Sequence, residues 1–130
     1  MISQSKLIRC CVILSWTIMM GIAIDAVAGL QDGINAYRIG DYKQAKALLE
    51  PYAKQGNADA QYFLARAYYD DRPSIGWIAA KWFGKAADQG HREALSWYGY
   101  CYETGHGLEK DYAQAKHYYE AAARLDDPSA

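Results

Sequence analysis

Apolar residues recur at helical spacing along most of the chain. Ala60, Leu64 and Tyr68 lie four apart, as do Ala94, Tyr98 and Tyr102, while Ala115, Tyr119 and Ala122 lie four and three apart. Each set is a stripe along one helix face. The pattern predicts six helices: Leu30 to Ile39, Tyr42 to Gln55, Ala58 to Tyr69, Ile75 to Gln89, Arg92 to Thr104 and Tyr112 to Arg124. No strands are expected. Asp41 with Gln44, and Asp111 with Gln114, have the spacing of a helix cap, in which the acid accepts the free amides of the first turn. Gly56 and Gly90 follow helical runs where a left-handed residue ends a helix, and the next stripe begins almost at once.

The stripes repeat. Ala45, Leu48, Leu49, Ala53, Gln55, Gly56, Ala60, Leu64, Ala65 and Tyr68 recur 34 residues later as Ala79, Trp82, Phe83, Ala87, Gln89, Gly90, Ala94, Tyr98, Gly99 and Tyr102. A third copy of the first part, Ala115, Tyr118, Tyr119 and Ala123, follows 36 residues after Ala79 and its neighbours. A fixed period of this length is the mark of stacked helical repeats. One pair of helices cannot cover its own apolar face, so pairs stack. The expected fold is all-α: a short right-handed α/α superhelical solenoid of three antiparallel helix pairs. Small residues at Ala45, Ala65, Ala79, Gly99 and Ala115 let neighbouring helices approach. Tyr68, Phe83, Tyr102 and Tyr119 are expected to fill the space left between them.

Gly105-His106-Gly107-Leu108, then Asp111, Ala115, Tyr118-Tyr119 and Ala122-Ala123, preceded by Gly99 and Tyr102, resemble the Sel1-like subclass of tetratricopeptide-type repeats. The weaker copies extend the resemblance over nearly the whole chain after the first helix begins. The unit from Ala58 to Gly90 departs from it, since Asp71-Arg72-Pro73-Ser74 replaces the glycine-containing loop and is two residues shorter. The first pair is more like an ordinary tetratricopeptide hairpin. The resemblance implies an adaptor that binds other proteins, commonly exported in bacteria. Some cysteine-rich relatives of this class have been discussed as penicillin-binding or hydrolytic proteins, but they carry a paired cysteine in every repeat, which this chain lacks.

Composition narrows the partners. The chain has 130 residues with 14 Lys+Arg against 15 Asp+Glu, and this near balance argues against nucleic acid. Apolar residues make up 52% and charged residues 22%, ordinary values for a folded domain.

The first residues read differently. Lys6 and Arg9 precede an uncharged apolar stretch from Cys10 to Ile24, followed by Ala26-Val27-Ala28 with small residues at both positions of an A-x-A site. This is the layout of a secretory signal peptide, with cleavage expected after Ala28 and a periplasmic or secreted product. The alternative is an uncleaved membrane anchor, but about 20 apolar residues are needed to span a bilayer and Asp25 ends this run early, so cleavage is favoured and no stable membrane span is expected after it. Residues 1–28 are thus assigned to the signal, 29–125 to the repeat domain and 126–130 to a disordered tail. Cys10 and Cys11 leave with the signal, and Cys101 remains as a small, partly buried apolar residue without a disulfide partner.

Candidate chemistry is sparse. His91, His106 and His117 form no metal-ligand spacing, and His106, between two glycines, is expected to be an exposed loop residue. Gly-x-Ser-x-Gly and cysteine-centred nucleophile signatures are absent, so no enzyme activity, metal or cofactor is expected. The tyrosines say more. At 100° per residue, Tyr62, Arg66 and Tyr69 fall on a face away from the Ala60, Leu64, Ala65 and Tyr68 stripe, and their partners one repeat on are Ser96, Tyr100 and Glu103. In helical-pair repeats the first helix of each pair lines the concave side. Tyrosine and arginine are frequent anchors of binding surfaces. These six residues are therefore assigned to a groove that binds a protein or peptide, and are expected to lie outside the seam between helices. Exposed tyrosines can also stack on sugar faces, which keeps a cell-envelope glycan as the alternative ligand; a hydrolytic enzyme is a more distant one.

Overall fold

The computed structural model of the protein describes residues 27–127. The helices are α1 (27–38), α2 (Tyr42–Lys54), α3 (Ala58–Asp71), α4 (Gly76–Asp88), α5 (Arg92–Thr104) and α6 (Tyr112–Asp126), and no strand occurs among the described residues. The apolar stretch from Cys10 to Ile24, its basic flank and Ala26 lie outside the described residues. Among those described, no helix is long and apolar enough to cross a membrane. Several ends differ from expectation by one to three residues: α1 covers 27–38 where Leu30 to Ile39 is expected, α2 and α4 stop one residue early at Lys54 and Asp88, and α3 runs on to Asp71. Pro73–Ile75 forms a 3-10 turn, so α4 starts one residue late at Gly76. At the other end α6 runs on to Asp126, which the sequence reading had placed in the tail.

Local chemistry accounts for most of these boundaries. The Asp41 carboxylate accepts the Gln44 amide at 3.0 Å, and Asp111 accepts those of Ala113 and Gln114 at 2.9 and 3.1 Å. Asn57 caps α3 in the same way. Between the helices of successive pairs the turns are a repeated device: Gly40, Gly56 and Gly90 take positive φ, and the next residue donates its amide back to Ala36, Tyr52 and Ala86 respectively. This is the Schellman arrangement, which satisfies carbonyls that the helix end would leave bare. It reverses the chain within three residues and fixes each helix antiparallel to the next.

Small residues meet large ones along the seams. Ala45, Ala65 and Ala79 are fully buried, and Gly99 lies so close to α6 that an added Cβ would stand 3.1 Å from the Tyr119 ring. Phe83, Leu49, Leu64 and Cys101 are the largest fully buried side chains. Of the four rings expected to fill the interior, only Phe83 does so completely; Tyr68 and Tyr102 are half-buried and Tyr119 is exposed. The reason is positional. Phe83 is covered by α5, whereas no described helix follows α6 to cover Tyr119.

Cys101 is fully buried rather than partly so, and burial pushes its thiol up to about 12. The thiol should therefore resist iodoacetamide at pH 8 in the native protein and react once the chain is unfolded in denaturant. Fast labelling of the native protein would contradict this placement.

Candidate functional site

The first helices of the three pairs, α1, α3 and α5, are linked side by side. Tyr37 on α1 donates its hydroxyl to Asp70 on α3 at 2.7 Å, and its ring lies 5.6 Å from Phe63. Arg66 reaches the same Asp70 carboxylate at 3.2 Å, and its guanidinium lies 4.2 Å over the Trp97 ring of α5. Tyr62 stacks on His91 at 4.7 Å and packs against both hydrophobic clusters of the core. Tyr62 and Arg66 thus share the predicted face, four residues apart, but they do not stand clear of the seam. They are part of it, because a first helix buries one face on its own partner and a second on the repeat beside it. Burial and the Asp70 hydrogen bond together raise the Tyr37 phenol above its ordinary range, so it remains a donor.

The other four predicted residues are more accessible as a group. Tyr69 is half-buried, with Trp97 at 5.2 Å and Tyr100 at 6.4 Å, both edge-on. Ser96, Trp97, Tyr100 and Tyr119 line an open cavity of about 250 Å³. Glu103 closes one side of it by accepting the Tyr119 hydroxyl at 2.7 Å. Burial and this carboxylate push the Tyr119 phenol up to about 12, which keeps it protonated and donating at neutral pH. Ser96 and Trp97 also border a neighbouring recess of about 320 Å³ with Arg92, Glu93 and Asp126. Arg92 pairs there with both Glu93 and Asp126. The structure therefore adds Trp97 and Tyr119 to the set. Both had a signal in the sequence: Trp97 repeats Phe63, and Tyr119 repeats Phe83.

The histidines have structural tasks. His91 Nδ1 accepts the Ala94 amide at 3.2 Å as the cap of α5, and Nε2 faces Asp59 at 3.1 Å. A ring held this way is the Nε2–H tautomer, with its basic nitrogen spent on the cap. His106 is not an exposed loop residue. Its ring lies 4.8 Å from Tyr69, against Gly76, where a side chain at position 76 would collide with it. Among the described residues no three His, Cys, Asp or Glu side chains gather as a metal site.

The repeat boundaries correspond to a known family. The Sel1 repeat model matches residues 26–57, 58–91 and 92–127, and these three units are the pairs α1/α2, α3/α4 and α5/α6. The chain belongs to the Sel1 repeat family. Among solved Sel1 repeat structures, one from Oxalobacter formigenes is 31% identical, with a TM-score of 0.68 over 75% of this chain and 41% of its own. Cysteine-rich protein B of Helicobacter pylori shares the fold with a TM-score of 0.62 at 18% identity, covering 81% of this chain and 91% of that one. In sequence, the ERAD-associated E3 ubiquitin-protein ligase component HRD3B of Arabidopsis thaliana is 35% identical over 86 residues, 63% of this chain. This Sel1 chain spans 13% of that relative's length.

Proposed function

We propose that this Sel1 repeat protein is an exported scaffold that binds a protein or peptide on a surface formed by its first helices together with α6 at the last repeat. The observation that carries the reading is the aromatic cavity of Ser96, Trp97, Tyr100 and Tyr119, with Glu103 at its side. Rigid rings with hydroxyl tips bury much area at little entropic cost and still offer hydrogen bonds at the edge. Tyr69, Ser96, Tyr100 and Glu103 supply the contact surface in this reading, while Tyr62 and Arg66 hold α3 and α5 in register beneath it. HRD3B is a component of an E3 ubiquitin-protein ligase, which is consistent with a repeat that works through contact with other proteins. Export rests on the basic, apolar and small-residue layout before Gly29. Cleavage after Ala28 would take only exposed positions, Val27 and Ala28, from the described part of α1.

A photo-crosslinking amino acid placed at Ser96, compared with one at exposed Lys81 on α4, tests the surface in the producing cell. Adducts of one discrete size should form from position 96 and not from 81, and Tyr100→Ala with Glu103→Ala should abolish them without a matching fall in Tm. Equal crosslinking at both positions, or adducts from 81 alone, would refute the assignment.

A further inference from the structure

The second and third repeats each place one aromatic side chain of their first helix in a slot made by the repeat before. Phe63 on α3 lies against Tyr37 of the first pair. Trp97, 34 residues later on α5, lies in a fuller slot of the second pair: stacked on Phe83 at 5.6 Å and 11°, edge-on to Tyr69 at 5.2 Å, and beneath the Arg66 guanidinium at 4.2 Å. Advancing those three slot residues by one repeat gives Tyr100 for Arg66, Glu103 for Tyr69 and Tyr119 for Phe83. Tyr100 and Tyr119 line the open cavity beside α5 and α6, and Glu103 is bonded to Tyr119. The difference in covering is large: Phe83 is 0% exposed, and Tyr100 and Tyr119 are each 37% exposed. The third pair thus presents the equivalent slot uncovered, with a ring kept at Tyr119 and Arg66 and Tyr69 replaced by Tyr100 and Glu103.

We infer that this end of the solenoid is a helix-docking slot that receives a tryptophan or phenylalanine from a basic amphipathic helix of a partner protein. The inference rests on the scaffold reading above and specifies the chemistry of its partner. A second copy of this chain fits poorly. The first repeat is two residues shorter than the second, so α1 carries Gln31 where α3 has Phe63, and Gln31, Asp32 and Asn35 make the middle of its exposed face polar, with Gln31 donating to Asn35 at 3.1 Å and the apolar Ile39 standing beyond them in the turn. Head-to-tail stacking would set an amide in an aromatic recess. Charge selects the partner further. The rim holds the carboxylates of Glu93, Glu103 and Asp126, against which stands Arg92, already paired with two of them. In the internal slot the cation over the indole comes from the slot itself, as Arg66. At the end slot that position is Tyr100, with Glu103 three residues on, so a cation carried by the incoming helix three or four residues from its aromatic anchor would meet a carboxylate there.

The probe is a synthetic peptide with the α5 sequence of residues 91–105, its cysteine replaced by serine and its two glutamates by lysine, titrated into the purified protein by calorimetry. Saturable binding at one site is expected. Replacing the peptide's tryptophan with alanine should weaken it by at least about tenfold, as loss of an anchor does. Restoring the two glutamates should also weaken it. On the protein side, Tyr119→Ala and Ser96→Arg should each reduce affinity by a similar factor, the second by adding a cation to the rim, with thermal melts showing both variants folded. Binding indifferent to the peptide's tryptophan, or kept at full strength by both variants, would overturn the slot. So would a dimer in sedimentation that the peptide dissolves, since the slot would then serve a second copy. Tryptophan-dependent peptide binding without adducts from position 96 in cells supports the slot and defeats the scaffold reading. Adducts from 96 with peptide binding indifferent to Tyr119 do the reverse.

Discussion

Phe83→Ala should lower the stability of the protein by about 3–5 kcal/mol, the range for truncating a large ring in a packed core. For a domain of this size that is a fall in Tm of more than about 10 °C. The ring is fully buried, stacks on Trp97 of α5 and lies 6.2 Å from the Tyr62 ring of α3. Its loss opens a cavity where three helices meet, and the helices cannot collapse into it without breaking the Arg66 and Trp97 contact alongside. Tyr119→Ala, at the equivalent place in the last repeat, is expected to cost much less because water already reaches that ring. Urea titrations followed by circular dichroism compare the two variants directly. Similar midpoints would show that the third pair is as tightly covered as the second.

Gly107→Ala is expected to be almost as damaging, at about 3 kcal/mol. Gly107 has a φ of +77°, and a Cβ there would collide with the backbone of Gly76 at the start of α4. The left-handed conformation alone costs an alanine about 1–2 kcal/mol, and overpacking against a backbone that cannot rotate away adds about 1–3. Gly40 offers the control. Its φ of +82° is similar, but nothing lies within 4 Å of the place its Cβ would take. Gly40→Ala should therefore cost the conformational part alone. Equal losses from the two substitutions in the same denaturation experiment would mean that the 105–107 loop does not press on α4.

These two glycines also show what the sequence does and does not disclose. Helix positions were legible because the 34-residue recurrence, the caps at Asp41 and Asp111 and the turn glycines all point the same way. The packing of His106 on Gly76 was not, since a glycine gives no pattern that says what fills the space beside it. The cap at His91 was hidden for a similar reason: its partner Asp59 lies 32 residues away, beyond any local motif. The candidate site was half legible. A helical wheel separates Tyr62, Arg66 and Tyr69 from the Leu64 stripe, but it has no way to tell a solvent face from one that meets the next repeat. Tyr62 and Arg66 fell on the wrong side of that distinction, and Trp97 and Tyr119 were passed over because the first looks like core and the second repeats a core position.

Beneath the candidate surface runs a line of polar contacts from Tyr37 through Asp70 and Arg66 to Tyr62, then by ring stacking to His91 and on to Asp59. It joins the first two repeats, and Arg66 carries it to Trp97 of the third. A solenoid joined only by neighbouring apolar faces behaves as a row of weakly coupled units, each able to fray by itself. A line of shared partners changes that behaviour, because departure of the first pair takes the Tyr37 hydroxyl and ring from Asp70 and Arg66, and departure of the third takes the Trp97 ring from Arg66. Loss of one end then leaves a charged group half-buried in the middle. The expected result is a short array that melts as one cooperative body.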